Sequence, residues 1–512
     1  MLKENTLVKH AAILAFASLT VRFIGFMYRI PLTALIGDEG NAFYLAAYSV
    51  YAFGVVITSG AIASAISKLV SERIAVGRYR DAHELFKNSI CTALILGGIV
   101  ALGMALGADW LTQLRFFNYP EAAYAVRALA PAVFIVAMLA VFRGYFQGMK
   151  SMVPTAVSQV VEQIFKAVFS LWLAHVFFRT AGVQLAVAGA AAGTGIGVVA
   201  GLITVFGFYL FAARKIRARV QDNSGFDFEK RRAQLKALFL AALPIIVGMG
   251  IYQIANFIDL GMAKDRILAS GAFTPEQVDE LVGQFTGKFI LLTTLPVSMS
   301  VALSQAVIPD ISSSRAILDK DAVRDKINTA LRISMTISIP AAMGLMVLAY
   351  PILALLFPRH PDGGWLLRYG AVSIIFLALI QVSTGVLQGI GKFMLPVIAA
   401  FFGVVIKIPI NWFLLAVPEI NILGAVISTI VCFAIAAGIN LTFIYKYTGV
   451  LPDYKSAFLR PVIAAIGMGL ACYWVYYVVQ MVSGRVATVA ALAIGVPVYV
   501  VILWLVGGFK RF

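Results

Sequence analysis

Apolar runs long enough to cross a bilayer recur along the whole of this 512-residue chain. A helix rises about 1.5 Å per residue, so about 20 apolar residues span the hydrocarbon layer. Fourteen runs qualify: 11–36, 42–67, 88–112, 122–146, 153–178, 184–212, 237–262, 285–309, 327–357, 366–388, 394–416, 421–445, 457–480 and 486–508. Strands of a membrane barrel would be shorter and would alternate polar with apolar residues. With 61% hydrophobic and 13% charged residues, the chain reads as an all-α polytopic membrane protein with 14 transmembrane helices. The first run lacks a short apolar core followed by a small-residue cleavage site, so it is expected to be a retained span.

The net charge of +17 could suit a nucleic-acid partner, but its distribution argues against one. Most Lys and Arg sit in short segments between the runs. When alternate segments are assigned to the cytoplasm, starting with the N-terminus, 27 of the 41 fall inside and six outside. That asymmetry predicts a cytoplasmic N-terminus and C-terminus. Cys91, Cys432 and Cys472 all lie within apolar runs and are expected to be buried small hydrophobes. His10, His83, His175 and His360 show no metal-ligand spacing, and no phosphate-binding nucleotide loop is present. The glycine run Gly193-Thr194-Gly195-Ile196-Gly197 lies inside an apolar helix and is expected to serve packing.

An internal repeat divides the runs into two sets of six. At an offset of 241, Ala65 meets Ala306, Gln147-Gly148 meets Gln388-Gly389 and Lys166 meets Lys407. Pro154 and Pro396 differ from that register by one. After a connection shortened by six, Gly189-Ala190 meets Gly424-Ala425 and Phe208 meets Phe443. The expected organisation is an N-lobe at 1–213, a cytoplasmic connection at 214–236, a C-lobe at 237–446, and two extra helices at 447–512. Parallel six-helix lobes around a central cavity are a transporter architecture.

Eight basic residues remain at or near membrane depth: Arg22, Arg29, Arg127, Lys166, Lys288, Arg332, Arg368 and Lys407. Against them stand Glu162 and Asp259. Buried cations are costly, so an excess of this kind points to an anionic ligand or a wet cavity. Arg22 and Arg29, seven residues apart, share one helix face in the first run, with Pro31 close behind. Arg127, Arg332 and Arg368 are expected to reach toward the surface. Glu162, four residues before Lys166, is suited to pair with it along the helix. Asp259 is open to two readings: a gate paired with Arg29 or Lys288, or a protonatable or sodium-binding carboxylate with Asn256 one turn away. The segment 310–326 suits either a short surface helix or a solvated connector. The longest outer loop, 263–284, carries Asp265, Glu276, Asp279 and Glu280, which leaves a membrane glycosyltransferase as a rival class.

Three stretches carry a family resemblance. They are Val21-Arg22-Phe23-Ile24-Gly25-Phe26-Met27-Tyr28-Arg29, Leu35-Ile36-Gly37-Asp38-Glu39-Gly40 and Ala65-Ile66-Ser67-Lys68-Leu69-Val70-Ser71-Glu72. The chain resembles the stage V sporulation protein B and YtgP type of polysaccharide transporter. These are relatives of the MurJ lipid II flippases in the multidrug/oligosaccharidyl-lipid/polysaccharide exporter superfamily. The resemblance implies a MurJ- or MATE-like fold, with the two C-terminal helices forming a groove for a lipid tail. It implies a bacterial plasma-membrane flippase, not an enzyme. Its partners would be an undecaprenyl-pyrophosphate-linked glycan such as lipid II, the bilayer and the cell-wall synthesis machinery, with no nucleic acid and no cofactor. Na+ or H+ coupling and drive by the membrane potential are alternative energy sources. Arg22, Arg29 and Lys288 match the family's functional basic positions on the first and eighth helices. Asp38 or Glu39 occupies the acidic position after the first span. Lys166 and Lys407 would extend the positive surface. Ser59-Gly60 stands where MurJ proteins have Glu-Gly, which leans toward the sporulation branch. Capsule or teichuronic-type units, and cationic drugs, are the alternative cargoes.

Overall fold

The computed structural model describes residues 2–114, 119–149, 151–221, 231–316, 320–481 and 483–508. Among them there is no strand. Ten helices are long and apolar enough to cross a membrane, or up to eleven if the bent pair 364–370 and 373–389, which turns by 52°, is one span. Each of the fourteen expected runs coincides with helix.

Helix α1 runs Leu2–Val55 and holds the first expected span and the start of the second, on either side of Gly37. At φ 71° and ψ −174° this residue occupies backbone space that is essentially glycine-only. Asn41 Nδ2 donates to the Gly37 carbonyl at 2.8 Å and ties the bend across one turn. A π-helical turn, Val56–Gly60, leads into α2 (Ala61–Ala75). Then follow α3 (Tyr79–Leu106), α4 (Ala108–Gln113), α5 (Ala123–Gly148) and α6 (Val153–Gln221). Helix α6 joins the fifth and sixth spans through a second glycine bend, at Gly182 (φ 81°, ψ −171°).

The remainder comprises α7 (Arg231–Ala269), α8 (Pro275–Gln284), a π turn Phe285–Ile290, α9 (Leu291–Ala316) and α10 (Lys320–Val347). The short α11 (Ala349–Leu356) and α12 (Gly364–Gly370) precede α13 (Ser373–Gly389), α14 (Leu395–Leu414) and α15 (Leu423–Thr448). A third π turn, Lys455–Leu459, opens the final hairpin of α16 (Arg460–Val479) and α17 (Gly484–Leu505). Of the two readings of 310–326, a separate short helix does not appear among the described residues. Residues 310–316 end α9 and 320–326 begin α10, while Asp319 lies outside the described residues.

The chain forms two compact units, Met1–Ile36 with Phe43–Gly261, and Gly37–Ala42 with Met262–Phe512. Two differences from the expected lobes have clear causes. Helix α7 belongs to the first unit as far as Gly261, because Leu238 and Ala242 enter its core beside Ile62, Phe142 and Val198, and Gln234 accepts from Asn88 at 2.8 Å. The bend 37–42 belongs to the second unit because two glycines four residues apart receive it. Gly283 abuts the Asp38 carbonyl, and a Cβ on Gly287 would lie 2.7 Å from the Asn41 amide carbon.

The repeat is visible in backbone contacts within each unit. A Cβ on Gly144 would lie 2.6 Å from the Ala63 carbonyl oxygen, and one on Gly385 would lie 2.6 Å from the Ser304 carbonyl oxygen. Gly148 approaches the Ser67 carbonyl (2.9 Å) as Gly389 approaches that of Ile308 (3.1 Å). In each case both partners are shifted by the same 241 residues. Gly189 closes on the Leu173 backbone and Gly424 on that of Leu414, each at 2.9 Å. These glycines let neighbouring helices touch backbone to backbone, which drives packing where no water is present to be expelled.

Candidate functional site: a cation pair in an aromatic setting

Arg29 and Lys166 come together in the first unit. Gly25 on α1 leaves room for the Gln163 amide on α6, 3.1 Å from where a Cβ would stand. The Arg29 Cζ lies 4.6 Å from the Tyr44 ring centroid. The Lys166 Nζ lies 4.9 Å from the Tyr48 ring and 6.0 Å from the Tyr28 ring. Tyr44 and Tyr48 stack at 5.8 Å, and Tyr51 continues the row. The part of α1 before the Gly37 bend thus supplies Tyr28 and Arg29, and the part after it supplies Tyr44, Tyr48 and Tyr51.

Neither cation has an acidic partner among the described residues. Lys166 is buried, and the Nη1 of Arg29 is buried without a hydrogen bond. Cation–π contacts soften the cost of such burial but leave the net positive charge in place. The expected pair between Glu162 and Lys166 does not form. Glu162 Oε2 instead accepts from Arg143 Nη2 at 2.7 Å. Spacing along one helix signalled Lys166, whereas the partner arrives from α5.

The other expected site residues are placed differently. Arg22 is exposed. Lys288 sits in the π turn of the second unit, 1% exposed, with Nζ 2.7 Å from Asp38 Oδ2 and 3.0 Å from the Asp362 carbonyl. Lys288 is therefore committed within its own unit and is not a bare cation. Arg29 takes the Tyr44 ring within the first unit, and Lys288 takes Asp38 within the second. Asp259 is buried and otherwise engaged, and the Asn256 side chain lies outside the described residues. Glu39 is exposed. Lys407 is buried on α14, at the repeat position of Lys166, and is engaged by neighbouring groups.

Of the arginines expected at the surface, Arg127 and Arg368 are exposed, and Arg127 pairs with Asp109. Arg332 is buried at 6% exposure, because α10 turns that face into the bundle. The acidic stretch 263–284 is largely helical. Thr274 and Gln277 cap α8 reciprocally, and Asp279 is held by Lys264 at 2.9 Å in a buried pair. A carboxylate committed in this way is poorly placed to act as a glycosyltransferase base.

Comparison with known proteins places this geometry in a family. The model for the "Polysaccharide biosynthesis protein" family matches residues 7–315, and the MatE model matches 285–413. The chain is 26% identical to the lipid II flippase MurJ of Bacillus subtilis, over 97% of this chain and 94% of the relative. It is 25% identical to stage V sporulation protein B of the same organism, over 83% and 81%. Among solved structures, lipid II flippase MurJ in its inward closed conformation matches with a TM-score of 0.71 at 15% identity, over 96% of this chain and 98% of that one. An inward-facing multidrug resistance MATE family transporter of the MOP superfamily matches at 0.67 and 17% identity, over 86% and 98%. The match of the family model over residues 7–315 identifies the chain, a multi-pass helical membrane protein with the fold of MurJ and the MATE transporters, as a member of the polysaccharide biosynthesis protein family.

Proposed function

We propose that the protein is a flippase that carries a polyprenyl-pyrophosphate-linked glycan across the bacterial plasma membrane, with the peptidoglycan precursor lipid II as its cargo. The observation that carries this reading is the Arg29–Lys166 pair, two cations at membrane depth with aromatic rather than acidic neighbours. An arginine fork and a lysine point charge match the oxygens of a pyrophosphate. The ligand would supply the compensating charge that the protein omits, so occupancy offsets part of the desolvation cost. The sequence similarity to a lipid II flippase supports the same cargo.

Arg22, exposed about two helical turns earlier on the same face of α1, is the entry contact. Lys407 serves the second unit at the matching depth. Lys288 with Asp38 acts as a clasp on the bend of α1, and Lys288 reaches a phosphate only by releasing that carboxylate. Translocation proceeds by alternating access with both termini cytoplasmic. The membrane potential, about 2.3 kcal/mol per charge per 100 mV, would return an unloaded cationic carrier inward. Na+ or H+ exchange through Asp259 is the competing coupling.

The test is binding to the purified protein in nanodiscs, with lipid II, undecaprenyl pyrophosphate, undecaprenyl monophosphate and a cationic dye. Both pyrophosphates should bind, the monophosphate should bind more weakly, and Arg29→Ala should lose the preference. Binding of the dye alone, unaffected by Arg29→Ala, would replace this reading with cation export. Equal binding of lipid II and unrelated pyrophosphate-linked glycans would leave the pyrophosphate reading standing and remove lipid II as the specific cargo.

A further inference from the structure

Glu162 precedes Lys166 by four residues on α6, the spacing and order that favour an ion pair. They would neutralise each other if they met. Arg143 on α5 prevents it. Its Nη2 donates to Glu162 Oε2 at 2.7 Å and its Nε to Ser158 Oγ at 2.9 Å. Ser158, one turn before Glu162, is fixed in turn by donating to the Thr155 carbonyl at 2.9 Å. The second arm of α6 shapes the slot around them. A Cβ on Gly201 would lie 3.4 Å from Glu162 Oε2, and one on Gly197 would lie 2.8 Å from Lys166 Cβ. The two side chains therefore leave the helix beside glycines, with the carboxylate drawn to Arg143 and the ammonium toward Tyr48.

We infer that Arg143 is a positioning residue for the anion site: it holds the Glu162 carboxylate off Lys166, so that Lys166 keeps its charge for the ligand. The second unit provides an internal control. At the offset of 241, Thr384 stands for Arg143, Ala399 for Ser158 and Gly403 for Glu162, while Lys407 stands for Lys166. Where the acid is absent its restraint is absent too, and the lysine remains. Gly403 packs on the Cys432 carbonyl at 2.8 Å as Gly197 packs on that of Glu162 at 2.6 Å, so the two positions share one backbone setting. The two arms of α6 and their counterparts α14 and α15 thus meet at this level with the acid and without it. An unrestrained Glu162 would compete with any ligand as a tethered anion one helical turn away, at high effective concentration.

This inference rests on the reading of Lys166 as a ligand of the pyrophosphate, and the experiment separates the two. Undecaprenyl pyrophosphate binding to the full chain in nanodiscs is measured for the wild type, Arg143→Ala, Glu162→Gln, the double variant and Lys166→Ala. Only the monodisperse, folded fraction is used. Arg143→Ala should weaken binding about tenfold or more, Glu162→Gln should leave it unchanged, and the double variant should return to within about threefold of the wild type. The dependence on Lys166 supplies a readout that a merely structural role would not move. Adding Lys166→Ala should cost little in the Arg143→Ala background, where the lysine is already quenched, and its full effect in the double-variant background. If Lys166→Ala alone binds like the wild type, the site reading fails and this inference falls with it. If Lys166→Ala is deleterious but the double variant binds as weakly as Arg143→Ala, the site stands and the role assigned to Arg143 is wrong. Should Arg143→Ala not fold, Arg143→Lys with and without Glu162→Gln takes its place. Lysine keeps the charge but loses the contact to Ser158, so the same partial loss and rescue are expected.

Discussion

Replacing Asp38 by Asn tests the clasp on helix α1. The Lys288 ammonium is 1% exposed and 2.7 Å from the Asp38 carboxylate. At that distance two unit charges in an effective dielectric of about 20 attract by about 6 kcal/mol. Desolvating both ions takes back several kcal/mol each, so the intact pair contributes little net stability. Removing one partner is different, because the other stays buried without compensation. The asparagine oxygen, the Asp362 carbonyl at 3.0 Å and the Phe357 ring at 6.0 Å remain to the ammonium, and none of them carries a negative charge. The expected loss is about 3–5 kcal/mol, roughly two to three and a half powers of ten in the unfolding equilibrium. The assay is reversible unfolding in mixed micelles. The double variant Asp38→Asn/Lys288→Met should recover most of the loss, since it removes the stranded charge. A single variant within about 0.5 kcal/mol of the wild type, or no recovery in the double, would refute the clasp.

Three further outcomes follow from the same geometry. Gly37→Ala should destabilise by about 1–3 kcal/mol through backbone strain alone, since the nearest atom to its Cβ would be 3.8 Å away on His360; mixed-micelle unfolding measures it. Gly144→Ala, whose Cβ would lie 2.6 Å from the Ala63 carbonyl, should cost about 1–3 kcal/mol, whereas Gly98→Ala, with open space around it, should be neutral in the same thermal unfolding series. Asp279→Asn should lower stability by removing the charge that faces Lys264 in their buried pair, yet leave transport per folded molecule intact, while Asp265→Asn and Glu276→Gln should change neither in a reconstituted flipping assay.

The features legible in the sequence were those set by length, periodicity and repetition. Apolar runs located the helices, and the offset of 241 recurs in the contacts of Gly148 with Ser67 and of Gly389 with Ile308. Lys166 and Lys407 stood out because no loop could explain them. Pairings between separate elements were not legible. Asp38 and Lys288 lie 250 positions apart, and Glu162 has a nearer candidate on its own helix than the arginine it meets. Nor could periodicity show that α7 joins the first unit as far as Gly261, because the faces of an apolar helix look alike in composition. Single glycine bends at residues 37 and 182 also stood in for loops that hydropathy alone would draw.

The most direct measurement is flipping of a fluorescent polyprenyl-pyrophosphate lipid in proteoliposomes, read by quencher accessibility, for the wild type, Arg29→Ala and Lys166→Ala at matched reconstitution. The expected result is transport by the wild type, its loss in both variants, and no transport of the corresponding lipid without phosphate. Undiminished transport in both variants would contradict it, because the two bare cations would then have no part in holding the cargo.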